Sequence, residues 1–272
     1  MTEFDPKELK KLYIPKHDSH KGDNGKLMII AGSTLFHAAS LWPLEAASRI
    51  VDMVYFSSVS MNNKIVQKDK ESFRNGIIVP RKDLEKYIQE ADCILIGPGL
   101  PRDDGQEEFD DSTKELTKQL VNKYPDKRWV VDGGSLQVIM PEILPKTAII
   151  TPNKKEFKML FSLEPIFDNA KKMAQEYSIT ILLKGEEDII CNEQMSAVVR
   201  GGNQGMTKGG TGDVLAGITA SFYCKNDAFL SASSASYINK LSASRLYKTM
   251  GLYYNSSDLV VEIPKVMKEL IL

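Results

Sequence analysis

The stretch Gly205 to Gly217 reads GMTKGGTGDVLAG and holds the residues best placed by type and spacing to do chemistry. Gly209, Gly210 and Gly212 let a backbone approach a ligand closely, and the apolar run from Val214 begins a helix immediately afterwards. Free amides at a helix start, with the positive end of the dipole behind them, bind anions. Gly210, Thr211 and Gly212 are therefore the expected phosphate nest. Asp213 sits at the mouth of the same helix. It either caps that helix, as Asp commonly does, or removes the proton of a hydroxyl that attacks a phosphoryl group held on those amides.

Three further segments follow apolar runs. Gly97-Pro98-Gly99 comes after Cys93 to Ile96, and reads either as a plain turn or as a close backbone approach to a ligand. Lys184-Gly185 closes Ile179 to Leu183; the lysine could meet phosphate, but a lysine at a strand end is usually solvated and is not expected to act directly. Asn153-Lys154-Lys155-Glu156 follows Thr151-Pro152, and Asn153 with Glu156 fits an N-cap and its capping box as well as a functional pair. Commoner signatures fail. GDNGKL at Gly22 to Leu27 lacks the spacing and Ser/Thr of a Walker A loop, and no GxGxxG opens a helix after a strand. His17, His20 and His37 have no metal-ligand spacing.

The elements that must position these residues alternate along the chain. Strands are expected at Leu27 to Ala31, Val54 to Val59, Gly76 to Val79, Cys93 to Ile96, Trp129 to Val131, Ala148 to Ile150, Ile179 to Leu183 and Asp188 to Cys191. They are nearly continuous in Ile, Val and Leu, which is how strands read when helices cover both faces. Helical patterns lie at Ala38 to Ile50, Arg81 to Glu90, Glu107 to Lys123, Asn153 to Phe161, Phe167 to Tyr177, Val214 to Cys224, Ala228 to Tyr247 and Ser257 to Leu270. The polar stretch Leu100 to Thr113 is expected to be a surface loop opening a helix. No repeat or linker divides the chain, so one α/β domain over residues 1–272 follows, with a mainly parallel sheet between helices. Ligands of such sheets lie beyond the carboxyl ends of the strands.

Composition narrows the partners. The formal net charge is −1, which leaves no excess positive field for nucleic acid or anionic lipid. Cys93, Cys191 and Cys224 form no CxxC and suit a reducing compartment. No apolar leader and no run of about 18 apolar residues is present, so a cytoplasmic protein is expected.

Taken in order, HKGDNG at His20 to Gly25 with the strand LMIIAGS, then ADCILIGPGL, VVDGGSL, ITPNKKEF, ILLKGEEDII and NQGMTKGGTGDVLAG resemble the stand-alone NAD(P)H-hydrate dehydratases of the ribokinase-like superfamily. The resemblance implies a three-layer ribokinase-like sandwich and an ATP- or ADP-dependent enzyme, with Mg²⁺ on the phosphates, that repairs hydrated NADH and NADPH. It implies contacts to the hydrated dinucleotide from Ala39, Gly99, Asn153 and Asp213. It further implies an adenine-nucleotide border at Lys184, Gly185, Glu186, Glu187 and Asp188, with Gly212 on the phosphates and Asp213 as base. Homo-oligomers are also usual among such enzymes. Asn153 stands where the family usually has His, and Asn239 replaces another histidine. Asn-x-x-Glu is instead the pattern of many ribokinase-like sugar and vitamin kinases, in which Glu156 would organise Mg²⁺ directly or at one remove. A small-molecule kinase is the alternative reading.

Overall fold

The computed structural model describes residues 2–102 and 110–272. Ten strands make one sheet: β1 (Thr2–Glu3), β2 (Lys26–Ile30), β3 (Met53–Ser57), β4 (Ile77–Ile78), β5 (Cys93–Ile96), β6 (Arg128–Val131), β7 (Ala148–Ile150), β8 (Thr180–Leu183), β9 (Asp188–Cys191) and β10 (Ser196–Val199). They lie in the order β1-β10-β9-β8-β7-β6-β5-β2-β3-β4. Only β9 runs against its neighbours, so the sheet is mainly parallel, as the apolar runs suggest.

The helices are α1 (Ala38–Ala47), α2 (Ser60–Asp69), α3 (Leu84–Glu90), α4 (Thr113–Lys123), α5 (Gly133–Val138), α6 (Lys154–Phe161), α7 (Phe167–Glu176), α8 (Thr211–Tyr223), α9 (Ala228–Met250) and α10 (Ser256–Ile271). Successive strand side chains point to opposite faces. Leu27 and Ile29 therefore join Val130, Leu182 and the buried sides of α1, α8, α9 and α10. Met28 and Ile30 join Trp129, Ile181 and residues of α3, α4, α6 and α7. Two cores on either side of one sheet make the three layers.

The differences from expectation have local causes. The helix predicted from Glu107 is seen from Thr113, where the Ser112 side chain accepts the Glu115 amide; residues 103–109 lie outside the described residues. Helix α8 begins at Thr211 rather than Val214, because Gly210 reaches φ 95° and starts the turn earlier. Sequence reading passes over α2, β10, and the short α5 and β1. SMNNKIVQKD is mostly polar, burying only Asn62 and Val66, and SAVV is too short to give a period.

Within one helical layer, α1 packs tightly on α8. A methyl group on Gly217 would lie 2.7 Å from the Pro43 Cα and 2.9 Å from its carbonyl oxygen. Gly217→Ala is consequently expected to destabilise the protein by about 1–2 kcal/mol, because overpacking against backbone outweighs the roughly 1 kcal/mol that Ala contributes to a helix. A lower urea midpoint with an unchanged slope is the expected result; a raised midpoint would show that the helices separate freely.

Candidate active site

Parallel strands deliver their carboxyl ends to one edge, and the site is built there. β6 ends into Asp132, β7 into Thr151 and β8 into Lys184. The Lys184 ammonium lies 2.8 Å from Asp132 Oδ1, and the Thr151 hydroxyl donates to the same oxygen at 2.8 Å. Lys184 and Asn153 bridge their backbones in parallel, which carries the β7–β8 pairing out to the site. The lysine is therefore paired and largely buried rather than solvated. Burial would depress its pKa, but the carboxylates of Asp132, Glu156 and Asp213 outweigh burial and hold it above the ordinary value.

Asn153 and Glu156 form the capping box of α6. The Asn153 side chain accepts from the amides of Lys155 and Glu156, each at 2.9 Å, and Glu156 Oε2 accepts from the Asn153 amide at 2.9 Å. Glu156 Oε1 accepts from Gln137 Nε2 at 3.0 Å. Each Glu156 oxygen thus accepts a hydrogen bond, and the side chain is buried. Among the described residues no group of three His, Cys, Asp or Glu side chains stands arranged to hold one. Burial pushes Glu156 up, with Lys184 opposing.

Asp213 occupies the third position of α8, and no side chain caps that helix, so the capping reading of Asp213 does not hold. Its carboxylate is pushed up to about 7, first by burial and then by Asp132 and Glu156, with Lys184 pulling the other way. Of the glycines around it, Gly210 is covered by the Trp42 ring, whereas Gly209 and Gly212 are less crowded. A methyl group on Gly209 would meet nothing within 4 Å, and one on Gly212 would meet only the Lys184 ammonium, at 3.3 Å. The start of α8 thus stands close to the Lys184 ammonium, with open space beside Gly209. Lys208, in the same motif, turns away to the carbonyls of Leu252 and Tyr254.

The KGEED turn divides. Gly185 lies beside Lys154, but Asp188 is buried, accepting from the Gly185 amide at 2.9 Å and the Ser236 hydroxyl at 2.7 Å and pairing with Lys240 at 3.4 Å. Lys240 also donates to the carbonyls of Gly185 and Glu186. Asp188 and Lys240 therefore hold the turn's shape, Glu187 pairs with Arg200 at 2.6 Å, and the Glu186 side chain is exposed.

Ala39 and Gly99, sixty residues apart in sequence, do meet. A Cβ on Gly99 would lie 2.6 Å from that of Ala39, and Gly99 holds φ 65°. Gly97, at φ 121°, lets the chain pass over Asp132, whose carbonyl oxygen would be 1.8 Å from a Cβ there. Beside them lies a polar cluster that sequence reading does not find. The buried Asn62 donates to Ser40 at 2.7 Å and to Ser58 at 2.9 Å, and its oxygen meets His37 Nδ1 at 3.1 Å.

A mainly parallel sheet between helices, with an uncapped, glycine-lined helix start facing a lysine and a carboxylate, defines an α/β sandwich with a candidate site at its carboxyl edge. The same fold is found in the crystallised ADP/ATP-dependent NAD(P)H-hydrate dehydratase of Bacillus subtilis, with a TM-score of 0.82 and 21% identity over 99% of this chain and 98% of that one. The family model for NAD(P)H-hydrate dehydratase matches residues 27–265, and the chain belongs to that family. It is 34% identical to the ADP-dependent (S)-NAD(P)H-hydrate dehydratase of Nitrosopumilus maritimus, across 96% of this chain and 95% of that protein. It is 35% identical to the bifunctional NAD(P)H-hydrate repair enzyme of Methanocaldococcus jannaschii, covering 96% of this chain but 52% of that protein. The chain spans about half the length of such bifunctional relatives.

Because folding raises the Asp213 carboxyl from 3.8 to about 7, the folded state keeps a proton that the unfolded chain releases. The resulting destabilisation is absent below about pH 3.8, grows as pH rises and is complete above about 7. Asp213→Asn is expected to stabilise the protein by about 2 kcal/mol at pH 8, a value scaled down for residual solvent, and to change little at pH 4. Equal effects at both pH values in denaturant titrations would refute the perturbed carboxyl.

Proposed function

We propose that the protein removes water from hydrated NADH or NADPH, using ATP or ADP, by phosphorylating the hydroxyl on ring carbon C6 and letting phosphate leave. The unpaired Asp213 carboxylate beside the phosphate nest carries this reading, and family membership and the named dehydratase relatives support it. The nucleotide supplies the phosphoryl group that converts hydroxide, a poor leaving group, into phosphate, a good one. The amides of Thr211, Gly212 and Asp213 and the Lys184 ammonium hold the terminal phosphate and receive its charge, as electrostatic stabilisation of phosphoryl transfer requires. Asp213 takes the C6 hydroxyl proton on a carboxylate oxygen as that oxygen attacks. Asp132 and Thr151 keep Lys184 in place. The ring nitrogen lone pair then drives phosphate from C6, and loss of a C5 proton restores the dihydropyridine.

Gly185, Glu186 and Glu187 border the adenine nucleotide in this reading, with Asp188 shaping the turn they form. Ala39, Gly99 and Asn153 line the dinucleotide side. Among the described residues no group of three His, Cys, Asp or Glu side chains forms a cage for Mg²⁺, which would be held chiefly by nucleotide phosphates and water, its usual mode beside such substrates; no step above depends on it. The chain acts as one domain over residues 1–272, supported by the single ten-stranded sheet. Three free, buried cysteines favour a cytoplasmic setting, and among the described residues no helix is long and apolar enough to cross a membrane. A homo-oligomer stays part of this reading, with the adjacent exposed Tyr13 and Ile14 as its apolar surface.

Incubation of the protein with nucleotide and hydrated NADH should restore the dihydronicotinamide absorbance. Stable accumulation of a phosphorylated product instead would make it a small-molecule kinase. Asp213→Asn should lower kcat by at least about a thousandfold while nucleotide affinity changes only a few-fold, since the base is removed and the amides stay. In the wild type, kcat/KM should rise with pH through about 7 as Asp213 ionises, and level off above it.

A further inference from the structure

The carboxyl edge continues past the site described so far. Beyond Gly97, Gly99 and the Asn62 cluster, the ends of β3 and β4 and one face of α2 enclose a cleft of about 740 Å³, within the usual range for a small-molecule site. Ser58, Ser60, Lys64, Gln67, Lys70 and Arg81 line it, and no carboxylate does among the described residues. Ser60, Lys64 and Gln67 recur at helical spacing, so α2 turns one uncharged-to-cationic stripe toward the cleft.

Arg81 is its most informative residue. Its Nε donates to Asp111 at 2.8 Å, which fixes the guanidinium plane. Nη1 and Nη2 are buried and, among the described residues, have no hydrogen-bond partner. Leaving a buried donor unpaired is costly, and an arginine held this way offers two parallel N–H groups that match a phosphate. Lys70 is partly occupied with the carbonyls of Asn75 and Gly76, whereas Lys64 is exposed at the rim.

Between Asp132 at the end of β6 and Arg81 after β4 lie four strand spacings, about 19 Å at ~4.8 Å each. That is a span an extended dinucleotide can cover. The Ala39–Gly99 contact and the Ser40–Asn62–Ser58 chain of hydrogen bonds occupy the ground between. We infer that this cleft takes the adenosine half of the hydrated dinucleotide, with Arg81 gripping one of its phosphates and Lys64 reinforcing the grip. The inference rests on the proposed dehydratase reading, and it assigns to α2 and the β4 end a part in substrate choice.

The test compares hydrated NADPH, hydrated NADH and the hydrated reduced nicotinamide mononucleotide on wild type, Arg81→Met and Lys64→Gln. Arg81→Met should raise KM about tenfold or more for a dinucleotide, with kcat nearly unchanged and the mononucleotide unaffected. Lys64→Gln, which sits on an exposed helix face and leaves the fold intact, should raise KM two- to threefold in the same direction. Loss confined to NADPH assigns the 2′-phosphate to Arg81, and loss for both dinucleotides assigns the pyrophosphate. Unchanged KM in both variants, or an equal loss for the mononucleotide, overturns the inference. If the wild type itself fails to dehydrate any of the three, the functional reading falls. The cleft is then judged by calorimetry with 2′-phospho-ADP-ribose in the presence of saturating ADP. Binding that Arg81→Met weakens tenfold upholds a phosphate site there, and no binding removes it.

Discussion

One ammonium group organises this molecule's chemistry. Lys184 Nζ stands between the carboxylate of Asp132 and the glycine-lined start of α8, and it feels Asp132, Glu156 and Asp213 together. Three acids around one base would be a poor bargain in a buried site if all were ionised, since desolvation of unpaired charge is expensive. The structure relieves it unevenly. Asp132 takes the close contact, Glu156 is hydrogen-bonded on both oxygens, and Asp213 is left as the group whose proton is held near neutrality. That imbalance leaves one carboxylate available to exchange a proton, beside amides that attract an anion.

The sheet explains why these groups can meet although they come from distant parts of the chain. β6, β7 and β8 are neighbours and parallel, so Asp132, Thr151 and Lys184 leave adjacent strands at the same edge. The capping box of α6 holds Glu156 just above them. Helix α8 arrives from the last third of the chain and is located by α1, with Pro43 against Gly217 and the Trp42 ring against Gly210. The helix that begins with Thr211, Gly212 and Asp213 is thus registered by packing on the helix that begins beside Ala39 and Gly99.

Much of this was legible from residue types alone. Uninterrupted Ile, Val and Leu runs announced a sheet covered on both sides, and GGTGD followed by an apolar run announced a glycine-lined helix start. The precise start of α8 was not, because it depends on Gly210 taking a positive φ, and so Asp213 looked like a cap when it is not one. The place of Lys184 was also hidden. A lysine after a strand is commonly solvated, and only the sheet order reveals that Asp132 lies two strands away to receive it. Asp132 itself follows WVV just as Gly97 follows CILI, so the rule of the carboxyl edge could have selected it. Asn62 and Lys240 gave no such signal. Their burial is set by tertiary contacts in a polar and a small-residue helix respectively, where no period marks them.

The central claim is that Asp213 titrates near neutrality because burial and neighbouring carboxylates outweigh Lys184. The most direct test is a carbon NMR titration of the Asp213 carboxyl, in wild type and in Lys184→Met and Asp132→Asn proteins. The account predicts a midpoint near 7 in the wild type, moving upward without the lysine and downward without Asp132. A midpoint in the ordinary carboxylate range, unmoved by either substitution, would contradict it.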